Sequence, residues 1–224
     1  MNKLAIFDCD GTLVDSGATI YQALAEAFAM HGVQLPPVRD CRRVIGLSLT
    51  EAMAALLPDG DPREHVELAE TYKGCFVRAR TEGRVQEPLF DGILDLLDTL
   101  EADGWLLAVA TGKSDRGLGH CLNSHGIHAR FVSLQTGDRH ASKPDPGMAL
   151  AAIAESGAAP ETTIVIGDTA FDMGMAQSAG AAGIGAAWGY HEPHELIAAG
   201  AFAVAHAPAE VERLAAAAME RVDG

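Results

Sequence analysis

The residues of this chain with the clearest chemical potential are carboxylates that follow apolar segments. Asp8 and Asp10, separated by a single residue, come directly after "KLAIF". Asp168 and Asp172 follow "TTIVIG". Acids placed this close repel each other when both are ionised. The spacing is typical of acids that work in different protonation states or share a bound cation.

A hydroxyl group and two lysines follow other apolar segments. Thr111, Gly112 and Lys113 come after "WLLAVA", and Lys143 lies in "SKPDP", beyond the apolar segment "RFVSLQT". In an open parallel sheet, ligands bind outside the carboxyl ends of the strands. If these apolar segments are strands of such a sheet, we expect the four residues and the aspartates to converge at one edge.

The order of apolar and helical patterns predicts an α/β fold. After Pro88, apolar segments alternate with helical patterns, which indicates a parallel sheet with right-handed crossovers. Between the first strand and this region, the sequence shows successive helical patterns and no convincing strand. We therefore expect a doubly wound parallel sheet in a core domain over 1–14 and 88–224, with an inserted α-helical domain over 15–87. The predicted strands are "KLAIFD", "WLLAVATG", "RFVSLQT", "TTIVIGD", "AAGIGAAWG" and "FAVAH".

Composition and charge argue against several classes of protein. The net charge of the 224 residues is −15, which disfavours nonspecific binding to nucleic acids or anionic lipids but leaves open a small anionic substrate in a locally positive pocket. No apolar run reaches the roughly 20 residues of a membrane span, and the N-terminus lacks the cleavage site of a secretory signal. Four cysteines without a C-x-x-C pair predict reduced thiols. We expect a cytoplasmic protein.

Four motifs, taken together, resemble those of a known family. "DCDGT" (8–12), Thr111 after an apolar strand, Lys143 in "KPDP" and "GDTAFD" (167–172) occur in the order of the haloacid dehalogenase superfamily motifs. The helical insertion lies where that family carries its cap, and the "KPDP" context resembles the phosphoglycolate phosphatase-like branch. The resemblance implies a Rossmann-like core with a helical cap. It also implies a Mg²⁺-dependent phosphatase that hydrolyses a small phosphorylated metabolite through an aspartyl-phosphate.

The resemblance and the needs of phosphoryl transfer imply separate catalytic roles for the two acids of the first motif. Asp8 would attack phosphorus, and Asp10 would protonate the leaving oxygen and then take a proton from water. Thr111 would donate to a phosphoryl oxygen, and Lys143 would contact both Asp8 and the phosphate.

The predicted metal ligands come from both acidic motifs. Magnesium usually takes one or two carboxylates together with substrate phosphate and water. Asp8 and Asp168 would supply carboxylates, and Asp10 its backbone carbonyl. Asp172 lies four residues after Asp168, so that the first turn of a helix would place both on one face. Asp172 would therefore bind the ion or orient its water.

Three residues are weaker candidates for substrate binding. Gly112 offers a backbone N–H beside Thr111, and Lys113 follows it. Arg43, with Arg42 beside it, precedes a cap loop that the resemblance places near the substrate, and a solvated helix face is an equal alternative. "ATGK" replaces the commoner Thr-Asn or Thr-Ser pair, and "EPLFDG" replaces a Pro-Tyr-Pro-Gly type hinge, which leaves the substrate open.

Two other features have simpler structural interpretations. Cys9 lies between the two acids, but a small residue behind the turn is a better interpretation than a nucleophile. The histidines of "HEPHE" (191–195) lack the spacing for a shared ion and are expected to be loop residues.

Alternative functions remain at this stage. A phosphomutase would share Asp8, Asp10 and Lys143, and the sequence does not separate it well from a phosphatase. In the dehalogenase and phosphonatase branches the position of Asp10 is changed, so its presence argues against both. A binding protein on the same fold would be expected to lose Asp8 or Lys143. Both monomer and homodimer remain open.

Overall fold

Residues 2–220 are described by the computed structural model of the protein, and they form a six-stranded sheet flanked by helices. The strands are β1 (Asn2–Phe7), β2 (Trp105–Thr111), β3 (Phe131–Thr136), β4 (Ala158–Gly167), β5 (Ala182–Ala186) and β6 (Ala203–Ala205). The α-helices are α1 (Gly17–Met30), α2 (Val38–Arg43), α3 (Leu49–Leu56), α4 (Pro62–Thr81), α5 (Ile93–Ala102), α6 (Asp115–Ser124), α7 (Gly147–Ser156), α8 (Ala170–Ala179), α9 (Pro193–Ala198) and α10 (Val211–Glu220).

The sheet is parallel throughout, with β1 near its centre in the order β3-β2-β1-β4-β5-β6. Ala5 and Phe7 belong to one buried cluster with α5, α6 and α10, whereas Leu4 and Ile6 belong to another with α7 and α8. Because successive strand residues point to opposite faces, both faces of β1 are apolar and its sequence is a continuous hydrophobic run. The predicted doubly wound α/β fold is confirmed.

The four helices that follow β1 have a hydrophobic core of their own. Phe28 of α1, Met53 of α3 and Leu68 of α4 lie in a buried cluster separate from the two clusters that cover the sheet. A capping box formed by Asp61 and Glu64 fixes the start of α4. The structure thus has the inserted helical domain, which we call the cap. Its limits at 15 and 87 stay predictions, and α1 to α4 lie inside them.

The two chain segments that join the cap to the core run side by side. The Asp15 N–H donates to the Pro88 carbonyl at 2.8 Å, and the Phe90 N–H donates to the Leu13 carbonyl at 3.0 Å. Val14 and Leu89 form an isolated antiparallel bridge between them. Any movement of the cap relative to the core must therefore be accommodated by these paired segments.

The observed elements differ from the predicted ones mainly in extent. β4 begins at Ala158, earlier than predicted, because its first residue pairs with Asn2 before a shift in register. The last helix begins with a 3-10 turn over Pro208–Glu210. Across residues 2–220, no helix combines the length and apolar character that a membrane span requires.

Candidate active site

The carboxyl ends of neighbouring strands bring the predicted catalytic residues together. β1 lies between β2 and β4, so that Asp8, Thr111 and Asp168, at or just after the ends of these strands, are neighbours at one sheet edge. Lys143 reaches this edge from the loop between β3 and α7. All four side chains are buried. The Thr111 hydroxyl accepts the backbone N–H of Lys113 at 3.3 Å, which orients it at the end of β2.

The turn after Asp8 is shaped to pass closely over Asp168. Gly11 has a φ of 86°, and a Cβ there would lie 2.2 Å from the Asp168 Oδ2 atom. Only glycine meets both requirements without strain. The next residue, Thr12, donates its hydroxyl to Asp168 Oδ1 at 2.8 Å. The "DGT" sequence therefore packs against Asp168 and holds the first acidic motif next to the last one.

Lys143 links Asp8 to the start of α8. Its Nζ atom lies 2.9 Å from Asp8 Oδ1 and 2.6 Å from Asp172 Oδ1. Asp172 also accepts from the backbone and hydroxyl of Thr169 in a capping box, so both its oxygens already have partners. Burial would lower the pKa of Lys143, but the charges of Asp172 and Asp8 outweigh it and raise the pKa above its ordinary value.

The carboxylates around Lys143 fit a divalent cation. One oxygen from each of Asp8, Asp168 and Asp172 lies within 4.8 Å of the others. Apart from the ion pair with Lys143, no hydrogen bond from the described residues reaches either oxygen of Asp8. Three carboxylates and one ammonium leave an excess of negative charge in a buried site, and an all-oxygen donor set suits Mg²⁺.

The protonation of the cluster depends on that charge balance. Burial raises the pKa of Asp8 to about 7, with Lys143 opposing the shift and Asp172 and Asp10 adding to it. Burial, followed by the charges of Asp8 and Asp172, raises the pKa of Asp168 well above its usual range. A bound cation would favour the ionised forms of both acids.

Asp10 lies in a separate network. The Lys113 Nζ atom is 2.9 Å from Asp10 Oδ1 and 2.6 Å from Glu87 Oε1. The Ser16 hydroxyl also donates to Asp10 Oδ1. Burial would lower the pKa of Lys113, but the charge of Asp10 and then those of its other acidic neighbours raise it well above its ordinary value. The two acids of the first motif therefore have different partners.

The loop between α2 and α3 packs directly on the catalytic edge. A Cβ on Gly112 would lie 2.3 Å from the backbone oxygen of Leu47. The Ser48 N–H donates to the Ser142 hydroxyl at 2.8 Å. Glycine at 112, where the family pattern has a larger residue, therefore allows the cap backbone to approach the site closely.

A cavity of about 450 Å³ lies between the cap and the catalytic edge. Asp10, Gly112, Lys113 and residues at the start of α6 line it from the core, and residues of all four cap helices and of the loop between α2 and α3 line it from the cap. Both Gly112 and Lys113 therefore lie where a substrate would bind, although the Lys113 ammonium is already paired with two carboxylates.

Arg43, the predicted substrate contact in the cap, forms an ion pair. Its guanidinium pairs with Glu195 at 2.6 Å on the exposed surface, and Arg43 is absent from the described residues that line the cavity. This ion pair ties the end of α2 to α9, and that Arg43 meets the substrate stays a prediction.

The remaining sequence interpretations concern packing residues. Cys9 is buried, and the neighbouring Cys121 thiol together with burial raises the pKa of Cys9, which disfavours a nucleophilic thiolate. His191 is a buried loop residue that accepts from the Ala170 N–H at 3.1 Å and donates to the Arg43 carbonyl at 3.2 Å.

Three residues of the site were not predicted from the sequence. Ser16 and Glu87 hold the Asp10 network, and the Tyr190 N–H donates to Asp168 Oδ2 at 2.9 Å. Ser16 and Glu87 lie at the two ends of the predicted helical insertion, where the hinges are expected, and this is the signal that pointed toward them. Tyr190 reaches the site only through tertiary packing.

Comparisons with known proteins show which family this sequence and fold are similar to. A family model described as "Haloacid dehalogenase-like hydrolase" matches residues 5–186. A relative from Dickeya dadantii, "Probable phosphatase IndB", is 34% identical over 200 residues, which cover 89% of this chain and 87% of the relative. The "Phosphoglycolate phosphatase" of Agrobacterium fabrum is 29% identical over 196 residues, covering 85% and 82%. The crystal structure of a hydrolase from Pseudomonas syringae matches with a TM-score of 0.83 and 27% identity, covering 96% and 98%.

Proposed function

This chain belongs to the haloacid dehalogenase-like hydrolase family, and from that premise we propose that it is a Mg²⁺-dependent phosphatase. Its substrate would be a small organic phosphate monoester, hydrolysed through an aspartyl-phosphate on Asp8. The names of the two relatives described above, both phosphatases, support the reaction class.

The observation that carries the proposal is the separation of the two acids of the first motif. Asp8 faces Lys143 and the carboxylate cluster, whereas Asp10 faces Lys113, Ser16 and the cavity. A covalent phosphatase needs one carboxylate that stays ionised as a nucleophile and a second that exchanges a proton. Separate partners allow the two acids to hold different protonation states.

Asp8 is the nucleophile in this mechanism. Its carboxylate attacks phosphorus, and the bond to the leaving oxygen breaks as the Asp8–phosphorus bond forms. Lys143 stabilises negative charge on the attacking carboxylate and on the phosphoryl oxygens. The Thr111 hydroxyl and the Gly112 N–H donate to the same oxygens as charge develops.

Mg²⁺ would be held by the carboxylates of Asp8 and Asp168 with the Asp10 backbone carbonyl, and it would neutralise charge on the phosphoryl group. Asp172 keeps Lys143 in place and belongs to the same carboxylate cluster. This arrangement gives Asp172 a positioning role toward the lysine, beside any contact with the ion or its water.

Asp10 serves as acid and then base. It donates a proton to the leaving oxygen, and the freed alcohol departs through the cavity that Asp10 lines. Asp10 then takes a proton from the water that attacks the aspartyl-phosphate. Ser16 and Lys113 hold its carboxylate on the cavity side during both steps.

The test is phosphate release from p-nitrophenyl phosphate by the purified protein. We expect release with Mg²⁺, loss with EDTA, and at least about a thousandfold loss of kcat in Asp8→Asn. Asp15→Asn is the matched control, because Asp15 is an exposed acid in the same segment. Full activity in Asp8→Asn, or none in the wild-type protein with Mg²⁺, would contradict the proposal.

A further inference from the structure

The cavity has one wall that is entirely hydrophobic. Ten lining residues come from the first three cap helices and the loops next to them, between Ile20 and Met53, and each is apolar or glycine. Ile20 and Met53 also belong to the buried core of the cap. This wall offers a bound ligand apolar contacts and no charged partner.

Aromatic rings continue this wall toward Asp10. Tyr72 and Phe76 of α4 both line the cavity, and their ring centroids are 5.9 Å apart. The Lys113 ammonium lies 5.6 Å from the centroid of the Phe76 ring. Since Lys113 is paired with Asp10, the aromatic surface begins close to the acid that protonates the leaving oxygen.

Most charged groups on the lining already have partners. Lys113 is paired with Asp10 and Glu87, Arg80 with Glu87 at 3.2 Å, and Lys73 with Glu70 at 2.8 Å. Arg116 lines the cavity but is exposed to solvent. The cavity therefore offers little unpaired buried charge to compensate the desolvation of a carboxylate on the leaving group.

We infer that the preferred substrate is a phosphomonoester whose leaving alcohol is apolar and contains about six carbons or more, in place of a short acid such as glycolate. This inference rests on the proposed function. Asp10 must reach the ester oxygen and also lines the cavity, so the leaving group enters the space beside it. A cavity of about 450 Å³ is far larger than a two-carbon acid needs.

The test uses alkyl phosphates whose leaving alcohols have similar basicity, so that chain length is the variable. The purified protein with Mg²⁺ is assayed for phosphate release from ethyl, butyl, hexyl and 2-phenylethyl phosphate and from 2-phosphoglycolate. We expect kcat/KM to rise about threefold per methylene up to hexyl, because each methylene leaves water for an apolar wall.

The outcomes separate the two proposals. A flat series, or 2-phosphoglycolate as the best substrate, overturns the substrate class and leaves the phosphatase intact. No phosphate release from any of the five esters overturns the proposed function itself. A rising series supports both.

A cavity-filling variant checks that the preference arises at this wall. Val44→Phe adds volume to a lining residue, and Val66→Phe makes the same change at an exposed position of α4 outside the lining. We expect Val44→Phe to lower kcat/KM for hexyl phosphate about tenfold and to leave ethyl phosphate within about twofold. Val66→Phe should change neither. Equal losses for both esters in Val44→Phe would overturn the inference. If thermal unfolding shows that Val44→Phe is not folded, Leu49→Phe replaces it as the cavity-filling variant.

Discussion

Asp8 and Asp10 are separated by one residue, but their partners come from different parts of the molecule. Asp8 and Asp10 each have a lysine nitrogen 2.9 Å from Oδ1. The partners of Asp8 belong to the core, since Lys143 precedes α7 and Asp172 lies in α8. The Asp10 region extends into the segments that join core and cap, through Ser16 before α1 and Glu87 after α4.

The difference shows how one fold can keep the nucleophile fixed and still let the cap influence proton transfer. Glu87 accepts from Lys113 in the core and from Arg80 of the cap helix α4. A cap movement that displaces Glu87 would therefore change the surroundings of Asp10. Within residues 2–220, the ion pairs of Lys143 with Asp8 and Asp172 contain no residue of the cap or of its joining segments.

Replacing the two lysines separately should give the largest contrast. We expect Lys143→Met to lower kcat about a thousandfold for both p-nitrophenyl phosphate and ethyl phosphate, because it removes charge from the phosphoryl site. Lys113→Met should lower kcat about tenfold with ethyl phosphate. The loss should be smaller with p-nitrophenyl phosphate, because its leaving group needs little protonation.

Lys3→Met is the control for these steady-state measurements, because Lys3 lies in β1, far from the site. Equal losses in Lys113→Met and Lys143→Met for both esters would mean that the two regions do not differ in function.

Disrupting the contact between Gly112 and the cap loop should lower kcat/KM by an intermediate amount. In Gly112→Ala the new Cβ would meet the Leu47 backbone oxygen, so the cap loop must move away from the catalytic edge. We expect kcat/KM to fall about tenfold to a hundredfold, since small displacements in a site are costly. Gly119→Ala is the matched control, because a Cβ there meets nothing within 4 Å. Unchanged kinetics in Gly112→Ala would show that the loop contact is not needed for turnover.

The smallest effect concerns the stability of the protein without metal. The native pKa of Asp8 is raised to about 7 and that of Asp168 is also raised, whereas an unfolded aspartate has a pKa of about 3.9. The native state therefore binds more protons than the unfolded state between about pH 4 and 7, and the free energy of unfolding in EDTA should fall as pH rises through that range.

Mg²⁺ should oppose this trend, because it competes with those protons and binds the native state. Urea unfolding with and without Mg²⁺ should show that Mg²⁺ raises the free energy of unfolding. This increment should grow from about pH 5 to about pH 8 and reach about 2–3 kcal/mol near saturation. The increment should persist in Asp10→Asn and be reduced in Asp168→Asn. An increment of equal size at both pH values would contradict the pKa argument.

The sequence predicted the Asp8 region better than the Asp10 region for a physical reason. Asp8, Thr111 and Asp168 lie at or just after the ends of apolar strands, and a parallel sheet brings these ends together whatever the loops do. Ser16 and Glu87 reach Asp10 only because the two joining segments run side by side, which depends on how the cap packs.

Arg43 is a second residue whose contacts depend on tertiary packing. Its position near a cap loop was correct, but its partner Glu195 lies 152 residues further along the chain. Nothing in the local pattern distinguishes a guanidinium that meets substrate from one that pairs across two domains. Gly112 was noticed as a departure from the family pattern, and the approach of Leu47 supplies the reason for it.

The most direct test of the central claim is to trap the intermediate. Asp10→Asn should form the aspartyl-phosphate from p-nitrophenyl phosphate and hydrolyse it slowly, because the base for water is lost. After incubation with Mg²⁺ and an acid quench, peptide mapping by mass spectrometry should find one phosphoryl group on Asp8. Nitrophenol release without any phosphorylated peptide, or a phosphoryl group on another residue, would contradict the account.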